Sequence, residues 1–147
     1  DTKNWSSPSS AHDIERRIHM TNDVRFFRCK HCGNFVGAIH FSGVPMICCG
    51  EKMEEVIPNT TDAAQEKHVP VVSVSGREVE VFVGSASHPM TEEHSIQWVY
   101  LQTDKGGQRK CLAPGQEPSV SFCLAEDETP VAAYAYCNLH GLWKKEL

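Results

Sequence analysis

Long hydrophobic runs, an excess of basic residues and internal repeats are all missing from this sequence. No apolar stretch approaches the roughly 18 residues of a membrane-crossing helix, and no signal-peptide pattern opens the chain. No membrane association is therefore expected, and the expected address is cytoplasmic. Lys and Arg number 14 against 19 Asp and Glu, a net charge of -5. That balance argues against a general nucleic-acid binder, which presents a basic face. A site that attracts small anions would have to be positive locally. Long helical periodicity is absent too. What remains is a 147-residue chain, 40% hydrophobic and 22% charged, with the composition of a folded globular protein. That length suits one ordinary domain, or a small module joined to a larger one.

Residues 1–20 are polar, with Ser-Ser-Pro-Ser-Ser at 6–10, and offer little to a core. They read as a disordered or vector-derived leader, with a functional arm as the alternative, a candidate short amphipathic helix over Asp13–Met20 and Met20 as a native start. Residues 21–57 form a segment rich in Cys and Gly with too few large side chains to stand on a hydrophobic core. It needs a staple, and a metal supplies one. Residues 58–147 change character. Val79, Val81 and Val83 alternate with their neighbours, as do Ile96, Trp98 and Tyr100, then Val120, Phe122 and Leu124, then residues 131–136. Turn signals at Ser75-Gly76, Lys105-Gly106-Gly107, Pro114-Gly115 and Glu126-Asp127 separate these runs. Short alternating strands at this spacing predict a mainly β protein whose larger part is an immunoglobulin-like antiparallel sandwich.

Seven cysteines are an odd number, so at least one cannot pair within the chain. Cys29-x2-Cys32 and the adjacent Cys48-Cys49 form the first constellation. Two intervening residues let both thiolates of a knuckle converge on one ion, and four thiolates suit zinc or iron. With no spacer, the second knuckle should not reproduce the usual loop. On spacing alone, a structural zinc clip and a redox iron stand level. His31 and His40 read as surface histidines, because four thiolates already complete a shell. Cys111 and Cys123 read as small apolar side chains within strands.

The second constellation is His68, His88, His94, Cys137 and His140. Each falls at a strand terminus or loop, where a rigid sandwich can aim several side chains at one point. Cys137-x2-His140 lets a single turn direct two of them inward. Patterning takes this to a metal site, with zinc, copper and iron open. Trp143 reads as packing.

In order along the chain, Cys29-x2-Cys32-Gly33-Asn34, Cys48-Cys49-Gly50-Glu51, Glu66-Lys67-His68-Val69-Pro70, His88-Pro89-Met90, His94 and Cys137-Asn138-Leu139-His140-Gly141-x-Trp143-Lys144 resemble desulfoferrodoxin, the two-iron type of superoxide reductase. The resemblance runs from about Val24 to the last residue. It implies a desulforedoxin-like N-terminal domain with a distorted iron site on Cys29, Cys32, Cys48 and Cys49. It implies a second iron with His68, His88, His94 and His140 equatorial, Cys137 axial and the opposite position open when reduced. Glu66 matches the glutamate that can occupy that position after oxidation, and Lys67 the lysine beside it; these are the expected catalytic pair. The implied activity is one-electron reduction of superoxide to hydrogen peroxide without oxygen release. The electrons would come from an external donor, rubredoxin or a similar small carrier, and a homodimer is expected on the same ground. Three rivals remain at this level: a non-enzymatic electron carrier, a superoxide dismutase, and a zinc-stapled interaction module.

Overall fold

Strict alternation from Glu78 to Val83 sets the pattern of the larger unit, because every second side chain there must leave water. The computed structural model describes residues 24–147; the leader expected over 1–20 and its candidate helix lie outside the described residues. The chain divides into two compact units, at Met53 and Glu54.

In the first unit, β1 (Arg25–Arg28) pairs antiparallel with β2 (Phe35–Ala38). The turn between them carries Cys29 and Cys32. β3 (Ile47–Cys48) and β4 (Glu51–Lys52) form a second, very short hairpin. Its two-residue loop is Cys49-Gly50, with φ of 52° and 75°, as a type I′ turn demands at both central positions. The hydrophobic centre is small: Phe27, Cys29 and Met53 are buried, with Val36, Phe41 and Met46 packed on them. It is the unit that the sequence marks as needing a staple.

The second unit opens with β5 (Glu54–Glu55) and the four-residue helix α1 (Gln65–His68). Among the described residues this is the one helix, and no helix there is long and apolar enough to cross a membrane. Seven strands follow: β6 (Pro70–Ser75), β7 (Glu78–Val83), β8 (Ile96–Thr103), β9 (Gly106–Cys111), β10 (Ser119–Cys123), β11 (Pro130–Cys137) and β12 (Gly141–Glu146). They make a three-stranded sheet, β10-β7-β6, and a four-stranded sheet, β12-β11-β8-β9. All these pairings are antiparallel. Val79, Val81, Val83 and Phe122 of the first sheet bury against Ile96, Val99, Leu101, Ala133 and Ala135 of the second. This is the immunoglobulin-like sandwich that the alternating runs predict.

Two features depart from the simple pattern. β8 is buried on both faces, since Trp98 and Tyr100 stand opposite Tyr136 and Tyr134 on the face away from Val99 and Ala135. Trp98 and Tyr136 stack at 5.5 Å. Cys111 and Cys123 do lie in strands but are exposed, not packed. Directly opposed residues share a face of a sheet, and Cys123 pairs with exposed Glu78.

Candidate metal centres

The four sulfurs of Cys29, Cys32, Cys48 and Cys49 lie within 4.8 Å of one another. Gly33, at φ 79°, closes the first knuckle, with its N–H bonded to the Cys29 carbonyl at 2.9 Å. The second knuckle is the Cys49-Gly50 loop, so the missing spacer is absorbed by a left-handed cysteine. Asn34 donates its amide N–H to the Cys48 sulfur at 3.5 Å. Glu51 ties the knuckles together on the outside, meeting Lys30 at 3.0 Å and His31 at 2.9 Å. Hydrogen bonding from the Cys32 backbone brings the Cys29 thiol down to about 6. Cys49 is pushed up to about 12, first by Cys32 and then by Cys29. Four sulfurs this close cannot all ionise without a cation among them.

The second group is assembled from three stretches of the larger unit. His68 ends α1, and the helix stops there because Val69 precedes Pro70 and is held extended at φ -70°, ψ 123°. One turn back, the Ala64 carbonyl accepts a hydrogen bond from His68 Nδ1 at 2.7 Å. His88, in the connection from β7 to β8, donates from Nδ1 to the Pro89 carbonyl at 2.6 Å. A carbonyl can only accept, so both Nδ1 atoms carry the proton and both Nε2 atoms present a lone pair. Those two Nε2 atoms face each other at 3.1 Å. His140 brings Nδ1 to 3.1 Å from His68 Nε2 and to 3.8 Å from the Cys137 sulfur. His94 Nε2 is buried and has no protein partner. All five donor atoms lie within 4.8 Å of one another.

Burial accounts for the protonation states. It lowers the pKa of His68 and His94, and takes His88 down to about 4, so these imidazoles are neutral near pH 7. Burial raises the Cys137 thiol, against hydrogen bonds from the Leu139 and His140 backbone. Lone pairs that face each other, an orphaned buried nitrogen and a thiol awaiting a positive partner are what a cation would resolve. The donor set therefore fits a metal. Glu66 and Lys67 stand outside it, exposed on α1. Lys67 is still within electrostatic reach, its charge disfavouring protonation of both His68 and His94.

Several supporting residues carried no role in the sequence reading. Trp143 is buried packing, as expected, but what it packs is the site: its ring stacks on His68 at 5.0 Å, and its Nε1–H donates to the His140 carbonyl at 3.0 Å. Gly84, at φ 84°, lies against the α1 backbone, and a Cβ there would meet the Lys67 carbonyl oxygen at 2.6 Å. The Gly84 N–H bonds to Val69 O at 3.2 Å and the Ala86 N–H to Glu66 O at 2.9 Å, strapping the helix down. The motif-internal Asn138 links two of the ligand-bearing stretches. A glycine ending a strand was the available signal for Gly84; the carbonyls of Ala64 and Pro89 leave no side-chain signature.

Four imidazoles and one thiolate on a β-sandwich, in a chain that also carries a separate four-thiolate cluster, define a class: a protein with two mononuclear transition-metal centres. Comparison with known proteins narrows it. Residues 60–146 match the desulfoferrodoxin family and residues 21–56 the desulfoferrodoxin N-terminal domain. A desulfoferrodoxin of Nitratidesulfovibrio vulgaris is 44% identical over 127 residues, covering 86% of this chain and 99% of that protein. A superoxide reductase of Pyrococcus horikoshii is 37% identical over 99 residues, covering 56% of this chain and 86% of the relative. The crystal structure of the superoxide reductase from Treponema pallidum superposes with a TM-score of 0.72 at 44% identity, over 84% of this chain and 99% of that one. The chain belongs to the desulfoferrodoxin family, and its two donor groups fit that family's two iron centres.

Proposed function

We propose that this protein is a two-iron superoxide reductase, catalysing one-electron reduction of superoxide to hydrogen peroxide with no release of oxygen. The observation that carries this is the convergence of four imidazole nitrogens and one sulfur within 4.8 Å in a desulfoferrodoxin-family chain. Cys29, Cys32, Cys48 and Cys49 would hold the first iron. His68, His88, His94, Cys137 and His140 would hold the second. When bound there, ferrous iron supplies the electron that superoxide accepts.

The chain's own residues arrange the rest. Neutral imidazoles add no charge and Cys137 one negative charge, so an iron(II) site keeps about +1 and attracts an anion in spite of the acidic surface. Lys67, exposed and electrostatically coupled to His68 and His94, adds to that attraction. Reduction of one superoxide by one electron consumes two protons. In this reading solvent reaching the site near Lys67 delivers them, and Glu66 covers the site once the electron has gone.

The same reading takes residues 21–57 and 58–147 as the functional domains. Rubredoxin or a similar small one-electron carrier is the donor, the assembly is a homodimer, and the compartment is the cytoplasm. Metal analysis with visible and EPR spectra tests the assignment. Two irons per chain and a thiolate-to-iron absorption band are expected; a colourless, zinc-loaded protein would contradict it.

A further inference from the structure

Of the four imidazoles in the five-donor group, His94 is the one whose Nε2 is buried with no hydrogen-bond partner, so no hydrogen bond at that nitrogen orients the ring and the backbone that carries it has to. That backbone is held from two sides. On its own side, Thr91 and His94 close a tight turn: Thr91 N–H to His94 O at 2.9 Å and His94 N–H to Thr91 Oγ1 at 3.1 Å. From across the site comes Asn138, between Cys137 and His140. Its Oδ1 accepts the Ser95 N–H at 3.0 Å, its Nδ2 donates to the Glu93 carbonyl at 2.8 Å, and its backbone N–H donates to Ser95 O at 3.3 Å.

These three bonds flank His94 on both sides, and their pattern has a structural reason. Pairing of β11 with β8 runs to Cys137 opposite Ile96, with an irregularity between Tyr136 and Cys137. One step further, a regular ladder would continue along the strand. Instead the chain turns so that His140 can point inward. The Asn138 side chain then takes over, its primary amide offering one acceptor and one donor as a peptide group would. The donor and acceptor it meets, Ser95 N–H and Glu93 C=O, fix which way the amide faces.

We infer that Asn138 is a positioning residue: it locks the His94 segment to the Cys137–His140 turn and so sets the spacing of donors drawn from two separate stretches. This rests on the metal reading of the five-donor group. Asparagine suits the position because aspartate can accept from Ser95 but would set a carboxylate oxygen against the Glu93 carbonyl. Leucine matches the shape and makes neither bond. Outer partners of metal ligands commonly change metal affinity by ~10–100-fold.

The test uses the full-length, iron-loaded protein with Asn138→Asp and Asn138→Leu. Thr103→Val serves as the control, removing a part-buried bond to Glu128 at the opposite end of β8 (2.9 Å). For both Asn138 variants, chelator competition should show second-site iron held about 10–100-fold more weakly, with first-site iron unchanged. The ferric EPR signal and thiolate-to-iron band of the second site should shift. The control should lose thermal stability and leave affinity and spectra as in the parent. If Asn138→Leu loses stability alone, with unshifted spectra and affinity, Asn138 is merely structural and the inference falls. Should Asn138→Leu fail to fold, the isosteric and polar Asn138→Asp decides by the same readouts. A parent protein inert to superoxide would overturn the proposed function, while shifted spectra in the variants would still uphold the role of Asn138.

Discussion

Buried and without a protein partner, His94 Nε2 is an atom that the polypeptide alone leaves unsatisfied, and such atoms are rare in folded proteins. Around it, each imidazole has a different anchor: a helical carbonyl for His68, the next residue's carbonyl for His88, a tryptophan on the backbone of His140. Cys137 contributes the only sulfur, so Cys137→Ala should abolish both superoxide reduction and the thiolate-to-iron band; retention of either would remove it from the shell. Gly84→Ala puts a methyl group against the Lys67 backbone at a φ of 84°. That conformation costs an L-residue about 1–3 kcal/mol. Thermal denaturation should show the second unit melting roughly 5 °C lower or more. An unchanged melting temperature would mean that the helix and the 84–86 turn are not tightly joined. The ligand residue types stood out in the sequence because cysteine and histidine at knuckle and loop spacings are uncommon. Their anchors did not, since backbone carbonyls have no side chain to betray them.

Strands were the most legible elements where one face is wet. β7 reads in the sequence as it folds, exposed glutamates alternating with buried valines. β8 obeys no such alternation, because the Trp98–Tyr136 and Tyr100–Tyr134 pairs shield its second face, and periodicity fails when both faces are covered. α1 spans four residues, about one helical turn and too short for a periodic pattern to register. It matters out of proportion to its length, because it presents Glu66, Lys67 and His68 in succession. Lys67→Ala should slow the second-order reaction with superoxide by about tenfold and flatten its salt dependence, as loss of one attracting charge requires. Stopped-flow rates at several ionic strengths that match the parent would remove Lys67 from the mechanism. The Cys49-Gly50 loop makes a separate prediction. Cys49→Ser should empty the first site of iron while leaving superoxide reduction largely intact; loss of both would show that the two centres depend on each other.

At the scale of the whole molecule, the chain is acidic, at -5, and its substrate is an anion. Capture therefore depends on the field of one small site, where burial keeps His68, His88 and His94 neutral and a bound cation outweighs a single thiolate. The sandwich supplies the rigidity that lets stretches from residues 68, 88–94 and 137–140 converge. The N-terminal unit, with its small core, depends on its four cysteines instead. The most direct test of this account is to mix the reduced, iron-loaded protein with a known quantity of superoxide, following the iron spectrum, hydrogen peroxide and dissolved oxygen together. One second-site iron oxidised and one hydrogen peroxide formed per superoxide consumed, with no oxygen released by the protein, is the predicted result. Oxygen release as superoxide disappears, or a second-site iron that stays reduced, would contradict it.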